Sequence, residues 1–256
     1  MSSVVDPLDT FEPISLVRAN EIAGLQTRID RKYLLDTTTL RELLDALAPT
    51  LRVLEIDGEQ SCSYRSTYFD TDDLSLYRAA VQGRRRRYKV RSRTYGTTGP
   101  CFLEVKAKGR HGANVKSRIG YSRHDHDTIT ADGHDFVEAI TGGTDLASAL
   151  RPVLTTEYER STLIDPDNRT RVTFDQRLRC TDNAGRTARL DAIVVETKSA
   201  RAPSACDQWL WQHHVRPTKI SKFCTGLAAT HPGLPANKWR RVIDRHWQLA
   251  SAQEFV

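Results

Sequence analysis

The sequence predicts an α+β fold, an antiparallel sheet or barrel with packed helices. Two observations carry this. Strand-like stretches follow one another at short spacing over residues 61–69, 84–95, 101–108, 115–121, 153–163, 169–179 and 187–198. Helical patterns gather at the two ends of the chain and in one insert, without the strand–helix–strand alternation of a doubly wound parallel sheet.

Taken in order, residues 1–12 read as a flexible N-terminal tail. Residues 13–25 read as a short helix with Pro13 near its start, and residues 26–35 as a strand. Residues 39–48 form an amphipathic helix pattern. Thr39 and Glu42 stand in capping-box spacing, and Leu40, Leu43, Leu44 and Leu47 share one stripe. Further helices are expected over 72–81 and 134–150, through Trp209 and Trp211, from near Ser221, and over 236–250. The last spaces Trp239, Val242, Ile243 and Trp247 along one face. Gly96, Gly99-Pro100, Gly109 to Gly112 and Asp165-Pro166 are turn signals between strands.

The 256 residues fit one large domain or two small ones, and they can bury a core without staples. Hydrophobic residues make up 39% of the chain, which excludes a disordered polymer. No apolar run approaches the ~20 residues of a membrane span. The N-terminus shows neither a basic nor an apolar signal region. Five scattered cysteines without a CxxC pair indicate neither a disulfide framework nor a thiolate zinc site, so a cytoplasmic location is expected. No P-loop pattern is present.

The net charge of +6 has a shape. Arginine outnumbers lysine 29 to 9. The lysines fall mostly in a few segments: Lys32; Lys89; Lys106, Lys108 and Lys116; Lys198; Lys219 and Lys222. A chain that habitually uses Arg but uses Lys there points to compact point charges at those places.

Residues two apart in a strand share a face. On that rule Arg85, Arg87, Lys89, Arg91 and Arg93 share one face, against Tyr88 and Val90 on the other. Glu104, Lys106 and Lys108 oppose Leu103 and Val105, while Arg28, Asp30 and Lys32 oppose Ile29 and Tyr33. Arg169, Arg171, Thr173, Asp175 and Arg177 oppose Val172 and Phe174, and Glu196 shares its face with Lys198. For any single strand the plain reading is a solvated outer face. Several such strands together imply repulsion that calls for anionic company. Charged faces turned inward would make a water-filled tunnel. Its occupant would be a linear polyanion with a divalent metal.

These stretches resemble the VTC domain, the polyphosphate polymerase domain of vacuolar transporter chaperone proteins, within the CYTH / triphosphate tunnel metalloenzyme superfamily. The resemblance is carried by TRIDRKYLL (27–35), YRSTYFDTDDLSLYR (64–78), RRYKVRSRTY (86–95), FLEVKAK (102–108), VKSR (115–118), YERSTL (158–163), RVTFDQRL (171–178), VVETK (194–198) and TKISKFCTG (218–226). It implies a closed antiparallel β-tunnel of about eight strands, with residues 13–256 as one tunnel domain with C-terminal helices. It implies catalytic phosphate contacts at Lys32, Lys89, Arg91, Lys106, Arg160, Arg171 and Lys198. Substrate contacts would fall at Arg93, Lys108, Lys219, Lys222 and Tyr68. Glu196 would be the metal carboxylate for Mn2+ or Mg2+, with Glu104 as helper. Arg28 and Asp30 replace the acidic start of the triphosphate hydrolases, which favours the VTC branch. Strand alternation sets Arg65 on the face opposite Tyr68 and Asp70.

The activity so implied is a metal-dependent phosphoryl transfer, polyphosphate synthesis from ATP or another nucleoside triphosphate. The alternatives are a tri- or polyphosphate hydrolase and a non-catalytic polyphosphate-binding module. Inorganic polyphosphate is the expected second partner, and a separate membrane partner is a further expectation. A nucleic-acid partner is disfavoured, because Glu104, Asp175 and Glu196 would repel a phosphate backbone lacking metal. The HDHD run (124–127) and His213-His214 lack a third ligand and read as surface histidines.

Overall fold

The computed structural model describes residues 8–24, 29–108, 114–143, 145–200 and 202–250. Residues 1–7, Thr27, Arg28 and the turn signal at Gly109 to Gly112 lie outside the described residues. The chain divides into two compact units. One comprises residues 1–62, 159–177 and 191–219, and the other residues 63–158, 178–190 and 220–256.

In the first unit, β1 (Glu12–Ser15) pairs in parallel with β3 (Arg52–Glu55). Between them lie α1 (Leu16–Ala23), β2 (Ile29–Leu35) and α2 (Thr37–Leu47). The Ser15 hydroxyl caps α1 by accepting from the Arg18 N–H. The α2 cap is Asp36, whose carboxylate accepts from the Thr39 N–H at 2.7 Å. The helix therefore starts earlier than the Thr39/Glu42 spacing predicts, because a carboxylate at the cap position satisfies an orphan N–H directly. Leu40, Leu43, Leu44 and Leu47 are buried as expected. They pack with Tyr33, Leu35, Val172, Phe174, Val195 and Leu210. Leu8 and Phe11 join this core, so the expected tail is anchored from residue 8 onward.

This unit also holds β11 (Ile193–Ser199), antiparallel to both β2 and β9, and α6 (Ala205–Gln212). Asp207 of α6 is fully buried and fully satisfied. It accepts from Tyr33 and Thr197 hydroxyls at 2.7 Å each, from the Ser204 N–H and hydroxyl at 2.8 Å each, and from Arg31 at 3.3 Å. Burial, then the Asp207 charge, pushes the Tyr33 phenol well up.

The second unit is built on the meander β4 (Ser61–Asp70), β5 (Tyr88–Tyr95), β6 (Cys101–Lys108) and β7 (Asn114–Tyr121). The Asp70 carboxylate ends β4 and accepts the Leu76 and Tyr77 N–H groups of α3 (Ser75–Gln82) at 2.8 Å each. Gly83 closes α3 with φ +69, a conformation glycine takes without strain. The 84–95 strand is accordingly shorter than expected. Arg84 to Arg87 form a loop, and the ladder on β5 is Lys89, Arg91 and Arg93 only.

The expected 134–150 helix is two helices, α4 (Ala131–Thr141) and α5 (Leu146–Ala149), broken after Gly142, which has φ +96. α4 lies on Phe69, Val90, Leu103 and Val105 through Val137. α7 (Lys222–Thr230) is buried from Phe223 onward and capped by Ser221. A Cβ on Gly226 would stand 2.5 Å from the Cys180 sulfur, so only glycine lets α7 approach there. The expected 236–250 helix is a 3-10 turn at Asn237–Trp239, then α8 (Arg240–His246), then β12 (Trp247–Leu249) paired with β10 (Thr187–Leu190).

The long strands β8 (Arg151–Asp165) and β9 (Thr170–Asp182) contribute residues to both units. The strands form a 12-stranded, mainly antiparallel sheet with the path β12-β10-β9-β8-β4-β5-β6-β7. β11, β2, β3 and β1 branch from it. The α+β class stands, but the closed tunnel of about eight strands is corrected: among the described residues the sheet is not closed, and it has 12 strands. Four of these, β1, β3, β10 and β12, have 3 or 4 residues, too short for alternation to reveal by themselves. The 187–198 stretch is two strands, β10 and β11.

Candidate functional site

Each unit carries one cluster of the expected residues. In the second unit, strand register sets Tyr68 opposite Arg91, Arg91 opposite Glu104, and Glu104 opposite Arg118. Arg91 and Glu104 are buried. Arg91 donates to Glu104 Oε2 from Nε at 2.8 Å and from Nη2 at 2.6 Å, and to the Tyr68 hydroxyl from Nη1 at 2.9 Å. Lys116 Nζ pairs with Glu104 Oε1. Arg93 donates to Ser66 at 3.0 Å and lies over the Tyr64 ring.

Electrostatics follow from this packing. Burial alone would raise the Glu104 carboxyl, but Arg91, Arg93 and Lys116 hold it well below the usual carboxylate range. Burial also works against ionisation of Tyr68, yet the charges of Arg91, Arg93 and Lys89 bring its phenol below its ordinary value. Lys116 is lowered, first by burial and then by Arg91 and Arg93, against the pull of Glu104.

The next row is all cationic. Lys89 stands opposite Lys106, and Lys106 opposite Lys116. Like charges set directly across strands are destabilising unless an anion joins them. Lys89 Nζ donates to Ser221 at 2.8 Å, which ties the row to the start of α7. There Lys222 Nζ sits 4.5 Å over the Tyr158 ring, and Phe223 stacks on Tyr68. Lys106 is exposed and Lys108 half-buried. Arg65 lies opposite Thr94, off this face, and pairs with Glu157 at 3.9 Å.

In the first unit, β11 lies between β2 and β9. Lys198 stands opposite Asp30 on one side and Arg171 on the other. Glu196 stands opposite Lys32 and Thr173. Lys198 Nζ is 3.8 Å from Glu196 Oε1. Arg160 grips Asp175 with two bonds, at 2.5 and 2.8 Å. Arg171 reaches α1, donating to Asn20 at 3.1 Å. The exposed Lys219 follows Thr218, whose N–H donates to the Lys32 carbonyl at 2.7 Å.

Two expectations for the β9 ladder are corrected. Arg169 precedes the strand with φ +52, and Arg177 takes φ +54 inside it and pairs with Glu159 at the surface. A left-handed residue breaks the two-residue alternation, so Arg171, Thr173 and Asp175 are what remains of the ladder. The sequence reading also passed over Lys116 and Tyr158. Lys116 carried a signal, its place among the rare lysines, but its register against Lys106 is a property of the folded sheet. Tyr158 opens the YERSTL stretch, and nothing local marks it as a neighbour of Lys222.

Both Glu104 oxygens are engaged by cations, so Glu104 does not fit a metal-ligand role in this arrangement. Glu196 does fit: it is partly exposed, Lys198 Nζ stands 3.8 Å from its Oε1, and a hard carboxylate suits a divalent ion shared with phosphates. Among the described residues no three His, Cys, Asp or Glu side chains group closely enough to cage an ion. Magnesium commonly needs only one or two carboxylates when phosphates supply the remaining ligands.

The family model of the VTC domain matches residues 27–231, most of the chain. This chain belongs to the VTC domain family. That membership assigns the VTC domain described here to triphosphate- or polyphosphate-related chemistry. Comparison with curated proteins finds no matching relative. Among solved structures, one match is a Hippeastrum protein, considered an adenylyl cyclase, for which a dominant triphosphatase activity is stated. It has 16% identity and TM-score 0.48, over 82% of this chain and 98% of that one. Another is a Vibrio parahaemolyticus protein assigned as an adenylate cyclase, with 11% identity and TM-score 0.45, over 77% and 95%. A third is from Pyrococcus horikoshii, with 10% identity and TM-score 0.43, over 77% and 94%. No helix among the described residues is long and apolar enough to cross a membrane.

Proposed function

We propose that this VTC domain transfers phosphoryl groups from a nucleoside triphosphate, ATP in the first instance, onto inorganic polyphosphate. The observation that carries the reading is the pair of like-charged rows, Lys89–Lys106–Lys116 and Lys198–Arg171, within a VTC family chain. Each row sets like charges directly across strands and gains from a bound polyanion.

In the second unit Lys89, Arg91 and Lys106 bind phosphate oxygens, with Arg93, Lys108, Lys222 and Tyr68 as further contacts. In the first unit Lys32, Arg160, Arg171 and Lys198 do so, with Lys219. Within each unit such cations hold a bound phosphoryl group in line and neutralise the charge on its equatorial oxygens. Glu196 would hold Mn2+ or Mg2+ together with the substrate phosphates, which adds further charge neutralisation when the ion is bound. The β–γ phosphoanhydride bond breaks to release the nucleoside diphosphate, and the terminal oxygen of the polyphosphate forms the new bond.

The acceptor is already anionic, so the step needs no strong base. This agrees with the two carboxylates, Glu104 in the second unit and Asp175 in the first, each being held by cations of its own unit. Hydrolysis would instead call for a group to deprotonate water. The test is incubation of the purified chain with ATP and Mn2+, with products sized on a gel. Long polyphosphate supports synthesis; orthophosphate alone makes the chain a hydrolase; binding without turnover makes it a polyphosphate-binding module.

A further inference from the structure

The loop between α3 and β5 holds four consecutive arginines, Arg84 to Arg87. Two of them are spent on the loop itself. Arg87 Nη1 donates to the Gly83 carbonyl at 3.2 Å and the Arg84 carbonyl at 2.7 Å, and Arg84 Nε donates to Gln82 at 2.7 Å. Arg85 and Arg86 are exposed. Among the described residues, no ion pair joins any of the four to a carboxylate. Side chains pinned to backbone carbonyls make this a shaped turn and not a floppy basic run.

The loop is continuous with the cationic row. The Arg87 carbonyl accepts from the Lys108 N–H, and Lys89 lies two residues further on, opposite Lys106. Arginines 85 and 86 thus extend the field of Lys89, Lys106 and Lys108 out to the surface. The one carboxylate on β5 and β6 is Glu104, and it is held by Arg91 and Lys116. A surface of one sign that runs into a phosphate-directed cluster suits a ligand that is long, linear and uniformly anionic.

We propose that Arg85 and Arg86 form an outer subsite for the distal part of a linear polyphosphate chain, with Lys89, Lys106 and Lys108 linking it to the inner cluster. The subsite selects for length: a triphosphate held at the inner cluster does not reach it, and a long polymer does. This rests on the phosphate-directed reading of the inner cluster. Arginine suits the role, because its planar fork matches phosphate oxygens in pairs and its charge does not titrate.

The experiment compares wild type, R85E/R86E and R85Q/R86Q for binding of inorganic triphosphate and of long-chain polyphosphate. Both positions are exposed, and circular dichroism checks folding. The expected result is a loss of about tenfold or more for the long polymer in R85E/R86E, the scale of two exposed charge contacts. The R85Q/R86Q loss is smaller, and the loss for triphosphate is much smaller than for polymer. Equal losses for both ligands, or none, overturn the outer subsite and leave the inner cluster standing. Wild type that binds neither ligand overturns the phosphate-directed reading and this inference with it. An equal loss for duplex DNA or for phosphatidylserine vesicles shows a general cationic surface and overturns the assignment to polyphosphate.

Discussion

Glu104 holds Arg91 through a single oxygen, Oε2, with Nε at 2.8 Å and Nη2 at 2.6 Å, and gives its other oxygen to Lys116. A buried carboxylate is therefore the organiser of two cations that would otherwise repel each other across β5, β6 and β7. Removing its charge while keeping its shape leaves both cations uncompensated. Glu104→Gln is expected to destabilise the fold by about 3 kcal/mol, read as a lower urea midpoint. Truncating Arg91 as well, in Arg91→Met/Glu104→Gln, should recover part of the loss. Additive losses in the double variant would sink the view that the two act as a pair.

The same carboxylate sets an acid limit on stability. Its folded-state value lies below its unfolded value of about 4.3, so the stabilisation is present above that pH. It is lost as pH falls below that value toward the folded one. Wild type should lose urea resistance on acidification below about pH 4.3, and Glu104→Gln should show a shallower acid slope. Parallel slopes would place the acid sensitivity elsewhere.

Lys198 and Arg171 stand directly opposite across β11 and β9. Because Arg171 faces Lys198 while Asp30 and Glu196 also lie beside it, Lys198→Ala should shift thermal stability by no more than about 1 kcal/mol. Polymer synthesis should fall by roughly 100-fold, the scale of losing one preorganised charge contact on the transferring group. A melting curve and product gels on the same preparation check both halves. Loss of activity through unfolding would count against the ligand role.

Glu196→Gln should raise the Mn2+ concentration needed for half-maximal turnover. Polyphosphate binding measured in a chelator should be unchanged or tighter, since one negative charge has left a cationic cluster. An unshifted Mn2+ titration would remove Glu196 from the metal role.

Much of this architecture was legible before the structure. The α2 leucine stripe, the β5 and β6 alternation and the Asp30/Lys32 and Glu196/Lys198 pairs follow from strand and helix period alone. What resisted reading depends on tertiary partners. Asp36 displaced Thr39 as a cap because both types suit the position and only the chain geometry chooses. The cationic run from Arg85 to Arg93 looked like one face, yet Gly83 ends α3 so late that Arg85 and Arg87 of that run fall in a turn. The Lys89–Lys106–Lys116 row was hidden because register across strands is not written in either strand. A tunnel inferred from inward-facing ladders did not foresee β1, β3 and β12, whose residues are too few to show a period.

His231 marks the end of α7 and offers a pH-dependent readout in the second unit. Its Nδ1 lies 3.3 Å from Asp182 and 3.1 Å from the Thr230 hydroxyl, while Nε2 faces Arg186. Burial lowers its affinity for a proton, and the Arg186 guanidinium lowers it further, against the opposing pull of Asp182. The folded state thus binds this proton more weakly than the unfolded chain, whose histidine titrates near about 6.5. For a group shifted in that direction, stability is present above the unfolded value and declines as pH falls through it. The urea midpoint of the wild type should therefore drop between about pH 7 and pH 5. His231→Gln should flatten that drop without changing the midpoint at pH 8. If Arg186→Gln leaves the slope as steep as in the wild type, the guanidinium is not the source of the residual shift and burial alone accounts for it.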